Sequence, residues 1–121
     1  MEIFVVDDEE IILESCRFVL EAEGYNVSIF ISADKLFEVF DNKVPDLMLI
    51  DMKMPNCDGI CLMQEIRRKT DIPIILMSGY TTRKTASEAM KKGAASFIPK
   101  PFTPDELLNE IVQVIKKEPE K

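Results

Sequence analysis

Five short apolar runs, each followed by a longer stretch of helical period, constrain this chain more than anything else in its sequence. The runs are Ile3–Val6, Asn26–Phe30, Leu47–Ile50, Ile74–Met77 and Ala95–Ile98. They are too short for buried helices and rich in residues that suit a pleated surface. The first periodic stretch sets Ile12, Cys16, Val19 and Leu20 on one face and stops near Gly24, a residue free to turn left-handed past a last turn. The second carries Ala33, Leu36, Phe37 and Phe40. The third carries Leu62, Met63 and Ile66 and closes in Arg67-Arg68-Lys69, cations suited to the negative end of a helix. The fourth has Ala86, Ala89 and Met90 and stops at Lys91-Lys92-Gly93. The fifth opens with Thr103 as N-cap, Pro104 at the first helical position and the acids Asp105 and Glu106, then runs through Leu107, Leu108, Ile111, Val112 and Ile115.

Strict strand–helix alternation predicts an α/β fold, with parallel strands and helices on both faces. The third and fourth runs are apolar without a break, as strands covered on both sides should be. The fifth leads into Pro99, which cannot donate a ladder bond and suits an edge or a strand end. The second, interrupted by Ser28, is the other candidate edge. The strand order 2-1-3-4-5 satisfies both, which makes the expected architecture flavodoxin-like. With 121 residues the chain is expected to form one domain over 1–117, with 118–121 as a charged tail or the start of a linker.

In an open parallel sheet ligands bind beyond the carboxyl ends of the strands. The residues expected there are Asp7 and Asp8 after strand one, Asp51 after strand three, Ser78 after strand four and Lys100 after strand five. Alone, each has a plain reading: Asp7-Asp8-Glu9-Glu10 as charges at a helix N-terminus, Asp51 as a cap, Lys100 as a solvated lysine. Together, at one rim, they form a constellation that capping does not require. Clustered carboxylates repel and call for a cation, and an all-oxygen set fits Mg2+ better than Zn2+, with Mn2+ chemically able to replace it. A carboxylate beside such a metal and an ammonium can attack a phosphoryl donor. Gly79, next to Ser78, leaves room for the group to approach.

Composition narrows the alternatives. The chain contains no histidine, which removes Ser-His and Cys-His nucleophile pairs and any completed zinc site at Cys57 and Cys61. Three cysteines fit a reducing, cytoplasmic setting, and the opening residues run into four acids rather than a signal sequence. No apolar run approaches the length of a bilayer span, so no membrane partner is expected. A net charge of −7 argues against nucleic-acid contact by this segment.

The chain resembles a response-regulator receiver domain over about residues 2–117. The resemblance rests on Val5-Val6-Asp7-Asp8-Glu9-Glu10, on Pro45 through Pro55 around Asp51 with Asp58-Gly59 after it, on Met77-Ser78-Gly79-Tyr80, and on Lys100-Pro101-Phe102. It implies that Asp51 is the phosphoacceptor, charged by a sensor histidine kinase or a phosphotransfer protein. It implies that Asp8 holds Mg2+ directly and Asp7 through water, with Asp51 and the backbone carbonyl of Lys53 as further ligands. It assigns Ser78 and Lys100 to the phosphoryl group and a cis bond to Lys100-Pro101. Ser78 and Phe97 would form a switch that alters the face of helix four, strand five and helix five, through which two copies could pair. Lys53, Gly79 and Tyr80 would border the pocket mouth, and Lys53 and Tyr80 would set phosphoryl lifetime by controlling water.

Two other functions compete with this non-enzymatic switch. A Mg2+-dependent phosphatase with an aspartyl nucleophile would want an acid where Lys53 stands, and a cap insertion for which the chain has no room. A receiver-like scaffold that is never phosphorylated would be expected to have lost an acid or the lysine.

Overall fold

A computed structural model of the chain describes residues 1–40, 42–53, 58–79 and 83–117, omitting the side chains of Arg83 and Lys117. Five strands and five helices alternate: β1 (Glu2–Val6), α1 (Glu10–Ala22), β2 (Asn26–Phe30), α2 (Ala33–Phe40), β3 (Leu47–Asp51), α3 (Gly59–Arg67), β4 (Ile74–Ser78), α4 (Arg83–Lys91), β5 (Ser96–Pro99) and α5 (Pro104–Lys117). All strand pairs are parallel and the order is β2-β1-β3-β4-β5. The chain therefore has the flavodoxin-like architecture its alternation implies.

Alternate residues of each strand feed two separate cores, as a pleat of period two demands. Phe4, Val6, Met48, Ile50, Ile74 and Leu76 pack beneath α2, α3 and α4. Ile3, Val5, Leu47, Leu49, Ile75, Met77 and Ile98 pack beneath α1 and α5. Every residue of β3 and β4 is buried, whereas β2 and β5, at the edges, are only partly so. This is why the third and fourth runs read as unbroken apolar sequence.

Strand ends carry the functional consequence. β3 and β4 each run one residue beyond their apolar stretch, so Asp51 pairs with Met77 and Ser78 pairs with Pro99. β5 lies one residue later than the sequence suggested, because Pro99 closes the ladder at a position where its missing N–H costs little. Lys100 then donates its backbone N–H to Ser78 O at 2.6 Å, which fixes the lysine beside the end of β4.

Helix ends follow their sequence signals. Gly24 has φ +92°, and after it Tyr25 N–H returns to Leu20 O while Gly24 N–H bonds Glu21 O. Gly93, at φ +114°, does the same for α4 through Ala89 O and Met90 O. Thr103 Oγ1 accepts from Glu106 N–H and Glu106 Oε1 accepts from Thr103 N–H, a reciprocal cap at the start of α5.

One expectation needs correcting, and another is extended. Met90 is not on the buried face of α4: it is 48% exposed, and the wholly buried Ala89 alone reaches the core centre. Adjacent helical positions point about 100° apart, and on α4 the second of the two falls outside the buried stripe. Arg67 does more than oppose a helix dipole. Its guanidinium donates to Ile72 O at 2.5 Å, Gly93 O at 2.8 Å and Thr70 O at 3.4 Å, tying the turn after α3 to the end of α4.

Candidate functional site

Asp7 follows the last residue of β1 and is wholly buried. Its backbone N–H still bonds Phe30 O on β2, so the strand geometry holds it in place. One carboxylate oxygen accepts Glu9 N–H at 2.8 Å and the other accepts Lys100 Nζ at 2.7 Å. Asp51, the last residue of β3, is buried next to it, and Lys100 Nζ stands 3.3 Å from Asp51 Oδ1. Asp8 is exposed at the rim. One oxygen from each of Asp7, Asp8 and Asp51 lies within 4.8 Å of the others.

The electrostatics are those of a site one cation short. Two unit charges about 4 Å apart repel by about 4 kcal/mol at an effective dielectric of about 20. Lys100 offsets one of the three negative charges. Burial, and then the charge of Asp7, push the Asp51 carboxyl above the usual carboxylate range, against the pull of Lys100 and of the Lys53 backbone N–H. Burial alone would lower the Lys100 ammonium. Its hydrogen bond to Asp7 and the charges of Asp7 and Asp51 outweigh that and hold it above its ordinary value. A hard divalent cation with oxygen ligands fits the remaining charge and the donor type, and the three acids are placed to hold one.

A family model described as the response regulator receiver domain matches residues 3–112. The chain belongs to that family. Among curated relatives, the receiver is 35% identical over 106 residues to the transcriptional regulatory protein KdpE of Staphylococcus aureus, covering 88% of this chain and 46% of that protein. It is 33% identical over 119 residues to the response regulator SaeR of the same species, covering 95% and 52%. The chain thus spans about half the length of these relatives. A solved receiver domain from Clostridium thermocellum superposes with a TM-score of 0.87 at 33% identity, covering 96% of this chain and 94% of that one. A CheY-like receiver from Methanospirillum hungatei gives 0.87 at 30% identity, covering 96% and 94%. Receiver domains generally bind Mg2+, which agrees with the acidic group found here.

The remaining residues singled out in the sequence distribute around this centre. Ser78 is buried at the end of β4, backbone-bonded to Lys100. Lys53 points its side chain outward while its N–H bonds the Asp51 carboxylate. Gly79 and Lys100 line one end of a mostly apolar cleft of about 620 Å3 between α1 and α5. The Lys100–Pro101 peptide is cis. Phe97 is half-buried against the core beneath α2, α3 and α4. Tyr80, Cys57 and residues 118–121 lie outside the described residues. None of the described helices is long and apolar enough to cross a membrane.

Three features of the receiver carry little or no sequence signal. The Glu9 N–H on Asp7 depends on how the chain turns into α1. The cleft, with Cys16 on its floor, depends on the separation of two helices distant in sequence. The approach of Gly59 to the backbone of Asp51 depends on where α3 begins, although Asp58-Gly59 could have hinted at it.

Proposed function

We propose that this receiver takes a phosphoryl group onto Asp51 from the phosphohistidine of a sensor kinase or phosphotransfer protein, and that the modified residue biases the face built from α4, β5 and α5. The observation that carries this reading is the convergence of Asp7, Asp8 and Asp51, compensated by a single lysine that touches two of them. Asp51 is the acid with the means to attack. It terminates a fully buried strand, and Lys53 N–H and Lys100 orient its carboxylate.

The proposed ligands of the divalent cation are Asp8 and Asp51, the Lys53 carbonyl, and Asp7 through water; both Asp7 oxygens already accept hydrogen bonds. When bound, Mg2+, or Mn2+ in its place, would supply positive charge to the phosphoryl oxygens and relieve the repulsion among the acids. The protein's own part is to hold the Asp51 nucleophile, to keep Lys100 against the incoming phosphate, and to offer the Ser78 hydroxyl to a phosphoryl oxygen. Ser78 would draw toward the phosphorylated Asp51, and Phe97, on the next strand, would repack against α4. This is a population shift between two packings. Lys53 and Tyr80 would govern how water reaches the acyl phosphate, and Gly79 would leave room for the phosphoryl group to approach. We place the protein in the cytoplasm, with a histidine kinase as partner and a second copy as a further partner through the α4–β5–α5 face.

Incubation with acetyl phosphate and Mg2+ tests this reading. Support is a labile adduct of one phosphoryl group that Asp51→Asn and chelation both abolish. Multiple turnover of assorted phosphoesters would instead favour a phosphatase, and absence of both adduct and turnover a scaffold.

A further inference from the structure

We infer that Gly59 is a positioning residue for Asp51: its missing side chain sets how deeply α3 seats against the peptide that carries the phosphoacceptor. The inference rests on the proposed role of Asp51 and adds a residue outside the acid–lysine centre.

A β-carbon built on Gly59 would lie 2.6 Å from Asp51 O and 2.8 Å from Met52 Cα. Both are backbone atoms, so no side chain can swing aside to make room. The helix is equally fixed. Asp58 caps it by accepting Cys61 N–H at 2.8 Å, and Leu62, Met63 and Ile66 are wholly buried beneath it. Met52 is clamped on both sides of its Cα: its N–H bonds Met77 O on β4 at 2.8 Å, and its carbonyl accepts Gly59 N–H at 2.9 Å.

Any side chain at this position must therefore displace the backbone of Asp51 and Met52. That backbone carries the Asp51 carboxylate and leads directly to the Lys53 N–H that orients it and to the proposed carbonyl ligand. The groups facing it come from elsewhere. Asp7 is fixed by β1 and β2, and Lys100 by the end of β4. A methyl group at position 59 should then move the acceptor relative to its own site while leaving the other half of that site where it was. Loss of metal affinity and of phosphoryl acceptance should follow, beyond any loss of stability.

The test compares Gly59→Ala with Ile66→Ala, which opens a cavity at the far end of the same helix. Both proteins are held in conditions where circular dichroism shows them folded. Mg2+ titration followed by NMR should show affinity reduced about tenfold or more in Gly59→Ala. Acetyl phosphate should modify Gly59→Ala about a hundredfold more slowly. Ile66→Ala should stay within about twofold of wild type in both. If Gly59→Ala does not fold, wild type supplies the second readout: Mg2+ should slow hydrogen exchange of the Gly59 amide about tenfold more than that of Ile66. Wild-type affinity and rate in folded Gly59→Ala, equal losses in both variants, or unaltered Gly59 exchange would overturn the inference alone. A wild-type protein that neither binds Mg2+ nor accepts phosphate would overturn the receiver mechanism beneath it.

Discussion

Lys100 Nζ donates to Asp7 Oδ2 at 2.7 Å, joining the loop after β5 to the end of β1 across the two strands between them, β4 and β3. Asp7 is wholly buried and the lysine side chain is 13% exposed, so this pair is screened little by water. The same ammonium reaches Asp51, and one lysine thus serves as the counter-charge of two acids.

Removing that lysine by Lys100→Ala leaves two buried carboxylates facing each other. Breaking a buried pair in this way should cost about 3 kcal/mol at neutral pH. Mg2+ should restore more stability to the variant than it adds to wild type, because the metal replaces the lost cation. Urea unfolding with and without Mg2+ measures both quantities.

Neutralising the acceptor should have the opposite sign. The Asp51 carboxyl is raised above its ordinary value in the folded state, by burial first and by Asp7 second. Between the ordinary and raised values the native state binds more protons than the unfolded chain, so stability falls as pH rises through that window. Asp51→Asn carries no such charge and should be more stable than wild type at neutral pH without metal. Its advantage should disappear below the ordinary carboxylate range. Urea unfolding of the two proteins at neutral and strongly acidic pH checks the sign.

The two glycine stops should respond unequally to alanine. Gly24 has open space where a β-carbon would stand, so Gly24→Ala meets only the cost of a left-handed residue, about 1 kcal/mol. A β-carbon on Gly93 would lie 3.2 Å from Arg67 Nε and press on the guanidinium that bonds Gly93 O. Gly93→Ala should cost about 2 kcal/mol, the excess being part of a charged hydrogen bond. The difference should vanish when both changes are made in Arg67→Ala.

Cys16, buried at the floor of the α1–α5 cleft, should resist alkylation while Cys61 reacts. Burial, and then the Asp7 charge, push its thiol up from 9.0 to about 11. The unfolded chain forms thiolate at lower pH than the native one, so this contribution to stability is complete below pH 9.0 and is lost as pH climbs toward 11. Peptide mapping after iodoacetamide treatment, with and without denaturant, distinguishes the two thiols.

Strand number, order and edges were legible because each follows from local pattern. Unbroken apolar sequence marks β3 and β4, Ser28 and Pro99 mark the edges, and Gly24 and Gly93 mark helix ends. The convergence of Asp7, Asp8, Asp51 and Lys100 was legible too, since a parallel sheet delivers every strand's C-terminal residue to one rim. Illegible features depend on distances between elements. Arg67 looks like any cation at a helix end until Gly93 O is found beside it. Met90 looks like core because its neighbour is, and the seating of α3 on Asp51 is set by packing below Gly59.

The most direct measurement is to locate the phosphoryl group. The protein is treated with acetyl phosphate and Mg2+, the acyl phosphate is trapped by borohydride reduction, and the digest is sequenced by mass spectrometry. Reduction at Asp51, absent without Mg2+, is the expected result. A modified protein carrying its phosphate on Asp7, Asp8 or a hydroxyl residue, with Asp51 intact, would contradict the account.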